Sequence, residues 1–152
     1  MPKLDLASIP ERGGTGYPEH LAAITKGRFR KRLGDAGGLT QFGVNICRVE
    51  PGSGSSHRHW HHNEDEMIYI LAGEAVLIEN EGEVVLKPGD AATFKAGVAN
   101  GHTLFNRGAV DLVFLEIGTR ANDETAEYPD IDLLAVATNR VWKFTRKDGS
   151  EY

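Results

Sequence analysis

Between residues 40 and 118 the chain is cut into short apolar stretches, each closed by a turn signal. "TQFGVNICRVE" (40–50) stops at Pro51-Gly52, "EMIYIL" (66–71) at Ala72-Gly73, and "EVVLK" (83–87) at Pro88-Gly89-Asp90. "EAVLIE" (74–79), "AATFK" (91–95), "HTLFN" (102–106) and "VDLVFLEIG" (110–118) are bounded in the same way. Spacings of roughly 8–12 residues with Gly, Pro and Asp between them are the pattern of an all-β sandwich or barrel. No stretch sustains a 3.6-residue apolar period over three turns; the best short helix candidate is "EHLAAITK". The prediction is therefore one all-β domain over 1–152, with a barrel core over about 40–118.

The flanks are less regular. Residues 1–27 read as an irregular N-terminal arm, since "PERGGTGYP" has two prolines and three glycines in nine residues. Residues 119–152 read as a C-terminal extension. Within it, "RANDETAEYPDIDLLAVAT" is expected to be a polar loop followed by a short helix or irregular piece, and "VWKFTR" (141–146) a last strand.

Charge and composition exclude several classes. A net charge of −5 argues against a nucleic-acid partner. The one basic run, "KGRFRKR" (26–32), reads as a solvated strand or edge, with an anion-binding patch as the sharper alternative. A single cysteine, Cys47, excludes a disulfide framework within the chain and is compatible with the cytoplasm. No apolar stretch approaches the roughly 20 residues needed to cross a bilayer. Neither a signal peptide nor a membrane segment is expected.

The chemistry concentrates in "SSHRHWHHNEDEMIYILAGE", which has four histidines in six residues followed by three acids. Side chains on a strand alternate faces, so His57, His59 and His61 would share one face and Trp60 the other. Imidazoles at i and i+2 reach one metal, and Glu66 at the start of the next strand completes a two-histidine, one-carboxylate set. A register through His57, His59 and Glu64 is the alternative. It would put the acid in the turn. Glu64 and Asp65 are expected to be solvated turn acids.

These residues resemble the two motifs of the cupin superfamily, in particular its small bacterial single-domain members. His59-Trp60-His61, four residues, Glu66, six residues and Gly73 match the first motif; His102 and Asn106, three residues apart, match the end of the second. The chain departs from the pattern where Ser53 replaces a leading glycine. Four residues, rather than two, also separate Gly97 from its histidine, so that Asn100 occupies the usual ligand position. The resemblance implies a double-stranded β-helix (jelly-roll) barrel holding one divalent metal, Zn, Fe, Mn or Ni. His59, His61, Glu66 and His102 would be its ligands, with His102 displaced by a bulge. It further implies a small-molecule ligand and isomerase, lyase or dioxygenase chemistry or else binding without turnover. Apolar residues on both faces of "VDLVFLEIG" suggest a covered sheet, and a homodimer is expected. Ile68, Ile70 and Leu104 would line the cavity.

Overall fold

Thirteen strands and two short helical turns are arranged in three antiparallel sheets in the computed structural model, which describes residues 3–152. Met1 and Pro2, part of the predicted arm, lie outside the described residues. The largest sheet has the order β1-β2-β3-β10-β5-β8. Its strands are β1 (Arg12–Gly13), β2 (Arg28–Arg32), β3 (Phe42–Val49), β10 (Leu112–Thr119), β5 (Glu66–Ala72) and β8 (Ala91–Phe94). A second sheet has the order β13-β12-β11-β4, from β4 (Trp60–His61), β11 (Glu124–Tyr128), β12 (Leu133–Thr138) and β13 (Val141–Thr145). The third pairs β7 (Gly82–Leu86), β6 (Ala75–Glu79) and β9 (Thr103–Phe105). The fold is the double-stranded β-helix, with a 3-10 helix at Glu19–Thr25 and one α-helical turn at Leu33–Ala36. No helix among the described residues is long and apolar enough to cross a membrane.

Alternation explains which residues enter the core. Cys47 and Val49 of β3, Ile68 and Ile70 of β5, and Leu112 and Phe114 of β10 point inward and pack with Leu77, Leu86 and Leu104. A second cluster of Ala126, Tyr128, Leu133 and Ala135 is completed by Tyr17, Leu21 and Phe144. The two clusters face each other across the site described below.

The expected polar loop and short helix within 119–138 are instead the β11–β12 hairpin. The inward positions of β11 are Glu124, Ala126 and Tyr128, all buried. An inward glutamate and a small alanine leave little apolar alternation to read. The strand expected through the histidine run is also shorter. Only Trp60–His61 forms a strand, preceded by an isolated bridge between His59 and His102. The arm is tied down as well: its 3-10 helix and β1 pack onto the barrel, the latter paired with β2.

Candidate metal centre

The four histidines of the run separate sharply. His61, in β4, pairs with Ala126 of β11, and Glu66, opening β5, pairs with Gly118 and Phe94. His59 is joined to His102 by two backbone hydrogen bonds of 3.1 and 2.9 Å, which bring the downstream histidine beside the upstream pair. The Nε2 atoms of His102, His61 and His59 lie 3.0, 3.5 and 4.0 Å from the same carboxylate oxygen, Glu66 Oε2. Ligand atoms of His59, His61 and Glu66 all fall within 4.8 Å of one another.

The other histidines turn away. His57 Nε2–H donates to the Leu21 carbonyl (2.8 Å) on the 3-10 helix. His62 pairs with Glu127 (2.7 Å) and stacks on Trp60, with ring centroids 4.5 Å apart. Asn100 also faces elsewhere: its side-chain amide donates to Glu79 (2.9 Å) and its Oδ1 accepts from the Asn80 amide.

Packing fixes the rings. Phe94 stacks on His102 at 3.5 Å between centroids, and Tyr128 stacks on His59 at 5.5 Å. His59 Nδ1 lies 2.9 Å from the His57 carbonyl. A carbonyl only accepts, so Nδ1 carries the proton and the Nε2 lone pair faces the cluster. Burial pushes the His59 imidazole down to about 4 against the pull of Glu66, so it is neutral at pH 7. Burial opposes ionisation of Glu66, but the His102 hydrogen bond and the neighbouring His61 and His59 hold it well below the usual carboxylate range. An ionised carboxylate beside inward-facing imidazole nitrogens is a donor set suited to a divalent cation. Among the described residues, His61 Nδ1 and His102 Nδ1 are buried without a hydrogen-bond partner.

Two acids differ from the sequence expectation. Glu64 is not a solvated turn acid. Its carboxylate accepts from the Ala121 amide (2.8 Å), lies 4.0 Å from His61 Nδ1, and is pushed up by burial. Glu124, 2% exposed, accepts from the backbone amides of His62, Asn63 and Thr125 and so clamps the turn that follows His61. Nothing in the local sequence around Glu124 marks it, since its partners lie about sixty residues upstream.

The cluster forms one wall of a cavity of about 290 Å³. Ile68, Leu104, Phe114 and Trp142 supply apolar lining; Ile70, expected there, is instead fully buried in the core. The polar lining includes Arg28, Arg30, Glu116, Tyr17 and Tyr128. Glu116 accepts from Arg30 (2.8 Å), Asn45 (3.2 Å) and the Cys47 thiol (3.0 Å). Burial raises its pKa, but Arg30 and these hydrogen bonds outweigh burial and leave it low. The hydroxyls of Tyr17 and Tyr128 lie 3.4 Å apart, and burial pushes both upward, so both keep their protons at neutral pH.

The family model described as "Cupin domain" matches residues 45–118. A crystal structure from Silicibacter pomeroyi, described as a sugar phosphate isomerase from a cupin superfamily, is 49% identical. The match covers 99% of this chain and 96% of that one with a TM-score of 0.95. A structure from Acidithiobacillus ferrooxidans that bears the sugar phosphate isomerase name provisionally is 32% identical over 82% of this chain and 80% of that one, with a TM-score of 0.74. The oxalate-binding protein of Thermotoga maritima is 39% identical over 70 residues, 46% of this chain. The match spans only 55% of that curated relative's length.

Proposed function

This chain belongs to the cupin superfamily, and from that premise we propose that it is a divalent-metal-dependent isomerase acting on a small phosphorylated hydroxycarbonyl compound of the sugar type. The observation that carries this reading is the convergence of His59, His61, His102 and Glu66 on the wall of a cavity that also holds a second carboxylate and two arginines. The name of the Silicibacter pomeroyi relative narrows the reaction class. We assign the four converging side chains as the ligands. The ion they would hold supplies a Lewis acid that polarises a carbonyl or hydroxyl oxygen.

The chain's own residues account for the proton movements. Isomerisation takes a proton from the carbon beside a carbonyl and returns one to the former carbonyl carbon. It also moves a proton between the two oxygens, with no net oxidation. Glu66 and Glu116 are the carboxylates lining the cavity, and Glu66 is committed to the cluster. Glu116 is therefore assigned as the base for the carbon-bound proton. Tyr17 and Tyr128, which hold their protons, donate to substrate oxygens. The apolar wall of Ile68, Leu104 and Phe114 excludes water from the reacting carbons.

The test is proton NMR in D2O with metal-restored protein and aldose or ketose phosphates of three to six carbons. Expected is deuterium incorporation at the carbon beside the carbonyl, lost in Glu116→Gln while bound metal stays unchanged. No exchange with any of Fe, Mn, Ni or Zn would overturn the isomerase reading. It would favour a second one, a small-acid binding module without turnover, which the oxalate-binding name of the Thermotoga maritima relative supports.

The proposal extends to assembly and location. Phe42, Met67, Tyr69 and Leu71 are exposed on the outer side of the largest sheet, an apolar face fitted to a second copy of the chain. Light scattering at micromolar concentration is expected to give the mass of a homodimer; a monomer mass contradicts it. The single thiol, buried and hydrogen-bonded to Glu116, fits the reducing cytoplasm.

A further inference from the structure

The basic run "RFRKR" became strand β2, and its register decides where the charges go. Arg28, Arg30 and Arg32 pair with Val49, Cys47 and Asn45 of β3 and share their inward face. The three arginines therefore form a ladder on the inner side of the sheet. Arg32 lines a groove of about 480 Å³ with Arg120 and Arg140. Arg30, Glu66, Glu116 and Trp142 line both this groove and the cavity, and Arg28 lines the cavity. The groove sets Arg30, Arg32, Arg120 and Arg140 against Asp35, Glu64, Glu66 and Glu116, so its charges are balanced and Arg28 is the exception.

The rungs differ in how their charge is met. Arg30 is neutralised by Glu116 at 2.8 Å. Arg120 is paired with Asp35, which also lies 3.8 Å from Arg32. Arg28 is only 7% exposed, and among the described residues no carboxylate lies within ion-pair distance of it. Its Nη1 donates to the Ser55 carbonyl (2.6 Å) and its Nη2 to the Gly14 carbonyl (3.1 Å). These two bonds orient the guanidinium without neutralising it, and they use two of its five N–H groups. A buried charge with no counter-charge is unfavourable unless something else supplies one. The residues next to its partners, Thr15–Tyr17 after Gly14 and Ser55–Ser56, line the cavity and bring further hydroxyl groups.

We propose that Arg28 is the specificity-determining residue of this cavity and takes the anionic terminal group of the substrate, a phosphoryl or a carboxylate, while the rest of the substrate lies toward His59, His61, His102 and Glu66. The proposal rests on the isomerase-site reading above for the position of the rest of the substrate. The guanidinium fork matches the oxygen geometry of either anion, and burial strengthens the pairing.

Three probes separate the possibilities: dihydroxyacetone, its phosphate, and hydroxypyruvate as the carboxylate counterpart. Binding to the metal-loaded full chain is followed by calorimetry. In the wild type at least one anionic probe is expected to bind tenfold or more tightly than dihydroxyacetone, and the one with the larger advantage identifies the group. In Arg28→Gln that affinity ratio falls to near one, and Arg28→Lys restores part of it. No anionic advantage in the wild type, or one that survives intact in Arg28→Gln, overturns the proposal. The wild-type ratio and the Arg28→Lys ratio decide the matter should Arg28→Gln not fold. Chelation of the metal separates this proposal from the site reading. If dihydroxyacetone affinity is insensitive to metal while the Arg28-dependent anion advantage persists, the metal reading has failed and the anion subsite stands.

Discussion

His59→Ala/His61→Ala protein is expected to fold and to lose its divalent metal, with affinity down by at least about 100-fold. Changing residues that only support a ligand costs about 10–100-fold, and here two of the proposed ligands go together. Both side chains contribute an inward Nε2, at 4.0 and 3.5 Å from Glu66 Oε2. Neither belongs to the apolar clusters that hold the sheets together. Equilibrium dialysis with elemental analysis measures the bound metal, and circular dichroism checks the fold. Asn100→Ala is the matched control and is expected to retain the wild-type stoichiometry, because that side chain is spent on Glu79 and Asn80. Full metal content in the double variant would mean that the ion sits elsewhere.

Gly73→Ala is expected to destabilise the fold by about 2–5 kcal/mol. Gly73 has φ +73°, a left-handed conformation that costs an L-residue roughly 1–2 kcal/mol. An added Cβ would also lie 2.5 Å from the Asp111 carbonyl oxygen and 3.0 Å from the Leu112 Cα, where β5 turns back against the start of β10. Backbone does not yield as a flexible side chain does, and such overpacking adds about 1–3 kcal/mol. For a chain of this size the loss lowers the melting temperature by roughly 5–20 °C. Gly52→Ala isolates the conformational part. Its φ is +79° and a Cβ there meets nothing within 4 Å, so the expected cost is only about 1–2 kcal/mol. Urea denaturation of both variants tests the difference, and equal losses would contradict the steric account.

The spacing from His59 to Gly73 thus has a physical basis at both ends. The histidines and Glu66 converge, and the glycine permits a close turn that no other residue fits. Glu66 and the glycine were legible because strand starts and turn residues act locally; strand parity also put His57 on the ligand face, and it fails there because only Trp60–His61 forms a strand. The core strands β3, β5 to β10 and β13 were legible for the same reason, each an apolar alternation ended by Gly, Pro or Asp. The β11–β12 hairpin was not, because its inward side mixes Glu124 and the small Ala126, Ala135 and Ala137 with only Tyr128 and Leu133 as large side chains. Glu124 acts on a turn about sixty residues away, and no local pattern encodes that contact. The basic run was legible as a strand, yet its inward arginines were not, since charge ordinarily marks a solvated face. His102 stood two residues beyond the expected position. Its place beside Glu66 depends on the bridge to His59 and the stack on Phe94, which are long-range contacts.

X-ray diffraction at the absorption edge of the bound metal locates the ion among these side chains. The account predicts one anomalous peak per chain, bonded to the Nε2 atoms of His59, His61 and His102 and to the Glu66 carboxylate at about 2.0–2.2 Å, with at least one coordination position turned toward the cavity. A peak that excludes these side chains, or a closed four-ligand ion with no position facing the cavity, would contradict it.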